Sequence, residues 1–169
     1  MEINLLKDIK RSWIRIRSEF SRFWKNYLYQ SLLAAIVLAI VMLVLTTEHA
    51  VVIASIGATA FVVFLMPRNV TATPRRVIGG HIIGLVSGSL VALIPHHAVF
   101  SYVIVYAIAV GVSAFLMVAL DFEHPPASGT ALGVAITGSS FGVWIAVITS
   151  SIILSLTHRF FKKYLRDLT

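Results

Sequence analysis

The basic residues of this 169-residue chain fall in three short blocks, and the sequence between the blocks is almost free of charge. All 14 Lys and Arg residues lie within residues 7–25, 68–76 and 159–166. The runs between them are apolar and about as long as helices that cross a hydrocarbon core of about 30 Å. Only 12% of the residues are charged, whereas soluble domains carry about 25%. The chain is therefore predicted to be an all-α membrane protein.

Residues 1–27 are predicted to form an amphipathic helix that lies along the membrane interface. Bulky apolar residues recur there mostly at three- and four-residue steps, and Lys and Arg occupy much of the remaining surface. The segment lacks the apolar core and the small-residue cleavage site of a signal peptide, so none is expected. It is interpreted as an anchor that sets topology, with a gating or partner-binding role as the alternative.

Six transmembrane segments are predicted after this helix. Residues 125–157 are too long for one straight span, and Gly138-Ser139-Ser140-Phe141-Gly142 within them is typical of a turn. This run is therefore divided into a short segment at 125–138, either a span or a buried half-helix, and a full span at 142–158. The other four uncharged runs are 26–47, 50–66, 77–95 and 98–120.

The charge distribution favours six crossings over five. With six, both termini and residues 67–76 are cytoplasmic, so all 14 basic residues face the inside of the inner (cell) membrane. Five crossings would place the basic tail outside. The predicted divisions are the interfacial helix at 1–27, a bundle at 28–158 and a cytoplasmic tail at 159–169. The bundle consists of two three-span units, at about 28–95 and 98–158.

A short sequence match between these units predicts a 3+3 inverted repeat. Glu48-His49 opens the second span and Glu123-His124 opens the fifth, and small residues follow each pair. Three spans per unit invert the second unit, so two short helices would point their N-termini inward from opposite sides, an arrangement that suits an anion. The alternative is that the small residues serve helix packing. The candidate ligands are the hydroxyls of Ser55, Thr59, Ser128 and Thr130 and the backbone at Gly57 and Gly129.

The ionisable residues at membrane depth are further candidates. Glu123 and His124 precede Pro125-Pro126, where they would either cap a helix or line the path and handle a proton. Glu48 and His49 are the matching proton or gating candidates. His81 lies about one turn inside the third span. It is expected either to form a hydrogen bond with a neighbouring helix or to line the conduction path. Arg75 would attract anions to the cytoplasmic mouth, although the positive-inside rule also accounts for it.

Several classes of function are excluded or disfavoured by the residues present. The chain has no cysteine, which excludes disulfides and thiolate sites. Neither a metal-binding spacing of histidines nor a catalytic motif is present, so no metal, cofactor or enzymatic activity is expected. Nucleic acid is not an expected partner, because topology accounts for the basic blocks.

Three blocks in this order resemble the HPP family of integral membrane proteins. Residues 55–60, Ser-Ile-Gly-Ala-Thr-Ala, are similar to the family segment S-F-G-A-S-A, and residues 74–81, Pro-Arg-Arg-Val-Ile-Gly-Gly-His, are similar to P-R-N-x-x-G-G-H. Residues 124–132, His-Pro-Pro-Ala-Ser-Gly-Thr-Ala-Leu, are similar to H-P-P-A-G-A-T-A-L. Arg76 departs from the usual Asn, and Ser128-Gly129 from Gly-Ala. Members are linked to nitrite transport in plastids and photosynthetic bacteria.

The resemblance implies a transporter or channel for a small monovalent anion, with nitrite as the leading substrate. The residues alone predict a small transporter or channel. A transporter of divalent cations or neutral solutes, and a membrane regulatory subunit without flux, remain as alternatives. The expected partners are a small inorganic anion, the lipid bilayer and, because one protomer has little interior volume, further copies of the chain in a homo-oligomer.

Overall fold

A computed structural model describes residues 2–44, 50–95 and 99–168, and these residues form an all-helical bundle. No strand is present in these three ranges, which confirms the predicted all-α class. Short 3-10 turns at Val70–Ala72 and Lys162–Tyr164 accompany six helices. The helices are α1 (Glu2–Val44), α2 (Ala50–Leu65), α3 (Pro74–Val91), α4 (Val99–Ala119), α5 (Pro126–Thr137) and α6 (Phe141–Phe161).

Three helices in the described part of the chain are long and apolar enough to cross a membrane by themselves. These segments are Arg17–Leu43, Ser101–Ala119 and Phe141–Tyr164, and Val52–Leu65 is a shorter apolar helix. The other three predicted spans, at 50–66, 77–95 and 125–138, do not meet this criterion. Helix α3 begins with two arginines and contains a buried histidine, and α5 has only 12 residues.

The predicted interfacial helix and the predicted first span correspond to two helical segments within α1. The segments meet at a kink at Phe23, where φ is −125° and ψ is 15°, values outside the helical range. The change of direction thus falls four residues before the predicted boundary at residue 27. Trp13, Phe20 and Trp24 are exposed, as expected for apolar side chains that meet lipid.

The six helices alternate in direction between two ends of the bundle. At one end, which we call the basic end, residues near 30, 65–76, 119–126 and 158–168 meet. There Gln30 Nε2 donates to Phe64 O at 2.5 Å and to Arg166 O at 2.7 Å, and Leu168 N donates to Leu65 O at 2.9 Å. At the opposite end Ser89 Oγ lies 2.8 Å from Ser139 Oγ. The C-terminal segment is therefore attached at the basic end.

Helix α5 lies among α2, α3 and α4 and approaches α3 most closely. Gly80, Gly84 and Gly88 form one stripe of α3 against it. A Cβ atom at Gly84 would lie 2.4 Å from Ala127 O, and one at Gly88 would lie 2.5 Å from Ala131 O. These glycines permit contact between helix backbones, as small residues do in membrane proteins.

The short segment predicted at 125–138 is α5, and the predicted turn after it is present. Gly138 has a φ of +85°, a left-handed conformation that glycine adopts without steric cost. Ser140 then caps α6, because its side chain accepts a hydrogen bond from Val143 N.

Candidate functional site

The segment 74–81 holds the loop that precedes α5. The ring of Phe122 lies on Gly79, where an added Cβ would be only 2.1 Å from Phe122 Cδ1. A Cβ at Gly80 would likewise lie 2.7 Å from His124 Cβ. The Pro-Arg-Arg-Val-Ile-Gly-Gly-His motif therefore has a direct structural role, since its glycines let the loop rest on the start of α3.

Arginines of the same motif pair with the acidic residues of this loop. Arg75 Nη1 donates to Asp121 Oδ2 at 2.6 Å, and Arg76 pairs with both Asp121 and Glu123. The hydrogen bond from Arg75 lowers the pKa of the Asp121 carboxyl below its usual value. The capping interpretation is wrong for α5, because Pro125 is its N-cap and no side chain caps it.

Five polar residues form a buried cluster where α2, α3 and α5 meet, and we call it the polar cluster. Its members are buried although the surrounding helices are apolar. They come from four separate parts of the chain, which the packing of the helices brings together. The members are Ser55 and Thr59 of α2, His81 of α3, His124 of the loop before α5, and Thr130 of α5.

The polar cluster is one continuous chain of hydrogen bonds between two backbone carbonyls. His124 Nδ1 donates to Thr71 O at 2.8 Å, and His124 Nε2 lies 3.0 Å from Thr59 Oγ1. The same Thr59 oxygen lies 2.9 Å from His81 Nε2, and the Thr59 hydroxyl donates to Ser55 O at 3.0 Å.

The second half of the chain continues from the other nitrogen of His81. His81 Nδ1 lies 2.8 Å from Thr130 Oγ1, which is in turn 2.8 Å from Ser55 Oγ. Ser55 Oγ donates to Pro126 O at 2.6 Å. Every polar atom of these five side chains thus has a partner, and the protein supplies all of them.

The structure brings together some of the predicted site residues but not others. Ser128 Oγ lies 3.4 Å from Ser113 Oγ of α4, so it faces away from the polar cluster. Gly129 lies against Ser55, whereas no atom lies within 4 Å of a Cβ built at Gly57. Arg75 and Glu123 are in the ion pairs, and Arg75 also stacks on Phe122. Glu48 and His49 lie outside the described residues.

Sequence reasoning missed several partners that this region uses. The carbonyls of Thr71 and Pro126 end the hydrogen-bond chain, and no sequence pattern marks a carbonyl. His158, whose Nε2 donates to Pro67 O at 2.9 Å, ties α6 to the turn after α2. The sequence did carry a signal for His158, because a histidine within an apolar run is unusual. Gln30, a polar residue in the predicted first span, could have been recognised by the same criterion.

The fold and the polar cluster define the class of this protein. Long apolar helices that alternate in direction around a buried polar site are those of a multi-pass membrane protein. A family model described as "HPP, transmembrane region" matches residues 20–167, and the chain belongs to this family.

A curated transmembrane protein of Dictyostelium discoideum is 28% identical to this chain over 119 residues. The match covers 67% of this chain and 41% of the relative, so the chain spans about two fifths of the relative's length. No solved structure matches.

Proposed function

We propose that this chain transports a small monovalent anion, with nitrite as the leading candidate, and that the polar cluster is its substrate site. The observation that carries the proposal is the burial of three hydroxyls and two imidazoles where α2, α3 and α5 meet. Polar groups at this depth are costly and mark substrate or ion pathways. Hydroxyl and imidazole N–H groups donate hydrogen bonds, which is what a small oxyanion requires.

The charge near the cluster favours an anion over a divalent cation. None of its five members is a carboxylate, and divalent cations such as Mg²⁺ and Ca²⁺ prefer carboxylate oxygens. The adjacent carboxylates of Asp121 and Glu123 are paired with arginines. Two other functions are transport of a neutral solute and a regulatory role without transport. The flux experiment below distinguishes both from anion transport.

The 3+3 inverted repeat is part of the proposal, and helix packing supports it. Exchanging α1 with α4, α2 with α5 and α3 with α6 maps the main packing contacts onto one another. Thus α1 packs on α2 and α6, and correspondingly α4 packs on α5 and α3. In the same way, α2 packs on α6 and α5 packs on α3. The remaining contacts, α2 on α5 and α3 on α6, map onto themselves.

The sequence spacing agrees with this exchange. Ser55 and Thr130 are 75 residues apart, the same separation as between Glu48 and Glu123, so the 2.8 Å contact joins corresponding positions. Helix α5 begins four residues before Thr130, about 6 Å at the rise of an α-helix, and α2 begins five residues before Ser55, about 7.5 Å. Two helix N-termini therefore approach the crossing from opposite sides, as the anion proposal requires.

The proposed topology has six crossings, with the basic end in the cytoplasm and both termini inside. Since the chain has no native cysteine, single cysteines can be labelled in intact cells with an impermeant maleimide. Leu93→Cys and Ser139→Cys should label from outside, and Val70→Cys only after the cells are opened. Labelling of Ser139→Cys and Val70→Cys from the same side would rule out a membrane-crossing α5.

Anion flux into liposomes containing the purified chain tests the function. We expect nitrite uptake that exceeds uptake of a neutral solute of similar size. Thr130→Val should reduce it, and Thr157→Val is the matched control, because the Thr157 hydroxyl donates to Ile153 O within its own helix. Liposomes that remain impermeable to every small anion would exclude the transport proposal. We also propose a homo-oligomer in which each protomer has its own site, which cross-linking in native membranes tests.

A further inference from the structure

Two buried polar atoms of α6 have no hydrogen-bond partner among the residues that the structure describes. They are Ser155 Oγ and His158 Nδ1, which lie one helical turn apart. Both side chains are almost completely buried, with exposed fractions of 2% and 1%. A buried polar atom without a partner costs free energy, because it has lost its hydrogen bonds to water. Water or a solute is therefore the expected partner of these two atoms.

The Ser155 hydroxyl differs from three other hydroxyls of the same helix. Those three donate to backbone carbonyls within α6, and they belong to Ser150, Ser151 and Thr157. A bond to the preceding turn is the local way for serine or threonine to satisfy its hydroxyl in an apolar helix. Ser155 Oγ makes no such bond within Phe141–Phe161. Its hydrogen is therefore available to an acceptor that enters the bundle.

His158 presents an acceptor at the next turn. Its Nε2 donates to Pro67 O at 2.9 Å, in the turn that follows α2 at the basic end. A neutral imidazole has one N–H, so Nδ1 then carries a lone pair. This atom repels an anion but accepts a hydrogen bond from water. The water keeps a second hydrogen, which it can donate to an anion.

Ser155 lies on the inward face of α6, which packs on α3. Residues three and four positions apart share one face of a helix, and Trp144, Ile148, Ser151 and Ser155 follow this spacing. Trp144 and Ile148 pack against the hydrophobic cluster that contains Leu85 of α3. The Ser155 side chain therefore belongs to the same inward face.

The position of the polar cluster along α6 follows from its packing on α3, which runs in the opposite direction. Two pairs of residues from these helices share hydrophobic clusters, Val77 with Leu154 and Leu85 with Val147. His81 is midway between the two residues of α3, so it lies level with Ser150-Ser151. At 1.5 Å per residue, Ser155 is about 6 Å and His158 about 10 Å nearer the basic end than Ser151. The two side chains thus lie between the polar cluster and the basic end.

We propose that Ser155 and His158 line the route by which the anion passes between the basic end and the polar cluster, together with water bonded to them. The proposal rests on the transport function proposed above and adds the path on one side of its site. The Ser155 hydroxyl and the water on His158 Nδ1 donate hydrogen bonds to the passing anion. Both side chains are buried in this structure, so the route has to open for a solute to pass.

Chemical modification of single cysteines tests the route, since the chain has no native cysteine. The probe is sulfonatoethyl methanethiosulfonate, an impermeant anionic reagent that converts a thiol to a mixed disulfide. It is added to membrane vesicles from the side of the basic end, which is the side from which Val70→Cys reacts. Ser155→Cys should react from this side and not from the other. Saturating nitrite should slow the reaction, and the attached sulfonate should block nitrite flux.

Leu156→Cys is the matched control, because Leu156 is the next residue of α6 and is 62% exposed on the outer surface of the bundle. The thiolate is the reactive form, and an apolar environment suppresses it, so Ser155→Cys should react roughly tenfold faster than Leu156→Cys. A cationic methanethiosulfonate of similar size should react more slowly with Ser155→Cys than the anionic reagent does. Purified Ser155→Cys should melt at about the wild-type temperature, which excludes reaction through unfolding.

The possible results separate this inference from the function on which it rests. Wild-type nitrite flux with no faster reaction at Ser155→Cys than at Leu156→Cys would overturn the route and leave anion transport intact. Reaction that nitrite does not slow and that leaves flux unchanged would also overturn it. Absence of flux in the wild type would overturn the transport proposal, and the route with it.

A second variant tests the route if the cysteine disturbs the fold. Ser155→Ala removes the hydroxyl with little change in volume, so nitrite flux should fall several-fold. Ser150→Ala should keep the wild-type flux, because the Ser150 hydroxyl donates to Ala146 O within its own helix. Equal flux in the two variants would contradict the proposal.

Discussion

Ser55 and Thr130 form a 2.8 Å hydrogen bond at the point where α2 and α5 cross. The two residues are 75 positions apart and belong to the two short helices that begin from opposite ends of the bundle. Ser55 also donates to Pro126 O, so one hydroxyl links the first turn of α5 to α2. Ser55 and Thr130 occupy corresponding positions in the two units of the proposed repeat, and both belong to the proposed substrate site.

Replacement of Ser55 by alanine tests the site at this contact. The change removes the donor to Pro126 O and breaks the hydrogen-bond chain, so nitrite flux should fall roughly tenfold, the effect of losing about 1.4 kcal/mol. Ser150→Ala is the matched control, since Ser150 is also buried and its hydroxyl bonds Ala146 O within α6. Equal flux in the two variants would remove Ser55 from the mechanism.

Gly84→Ala is expected to destabilise the bundle. Its Cβ would lie 2.4 Å from Ala127 O, so α3 and α5 must separate, at a cost of roughly 1–3 kcal/mol. Thermal unfolding in detergent measures the change. Gly111→Ala in α4 is the control, because its added Cβ would meet no atom of another helix within 4 Å among the described residues. If both variants unfold at the wild-type temperature, the close packing of α3 on α5 is incorrect.

The Gln30 amide is expected to hold the C-terminal segment in place. It bonds Phe64 O and Arg166 O through Nε2, and its Oε1 accepts from Arg166 N at 3.1 Å. Gln30→Leu leaves these groups without a partner, which should cost about 1–3 kcal/mol. Tryptic cleavage near Lys163 and Arg166 should become faster. The neighbouring variant Ser31→Ala should keep the wild-type rate, because Ser31 is exposed.

Arg76 should contribute more to the loop before α5 than Arg75 does. Arg76 is 14% exposed and pairs with two carboxylates, whereas Arg75 is 56% exposed and pairs with one. Exposed ion pairs contribute little. Arg76→Gln should therefore lower the melting temperature by several degrees, roughly the effect of 1 kcal/mol, and Arg75→Gln by less. The reverse order would show that the partly buried pair is not the stronger contact.

The Asp121 carboxylate makes the stability of this loop depend on acid pH. Its pKa is lowered in the folded state, so its contribution is present above the unfolded pKa of about 3.9 and is lost as the pH falls through the folded value. The melting temperature of the wild type should fall more steeply below pH 4 than that of Asp121→Asn, which has no such proton to gain. Parallel curves would argue that the ion pair with Arg75 does not contribute.

The membrane class, the helical content and the short helix at 125–138 follow from patterns that are local in sequence. Long uncharged runs require helices because backbone polar groups in lipid must pair within their own segment. Gly138, which follows an apolar stretch, ends α5 because its φ of +85° is a left-handed conformation that glycine adopts without steric cost. The position of the kink at Phe23 was less accessible, since the amphipathic and apolar stretches on its two sides are both helical.

The composition of the site depended on tertiary structure. Ser55, Thr59, His81, His124 and Thr130 were all recognisable as polar residues in apolar helices, but the same patterns also selected Ser128, which faces α4. Which side of a buried helix meets a partner depends on how that helix packs. The glycine stripe of α3 lets α5 approach closely enough for residues up to 75 positions apart to form one hydrogen-bond chain. Charge spacing along the chain determined that there would be helices in a membrane, while close backbone packing determined which polar atoms meet.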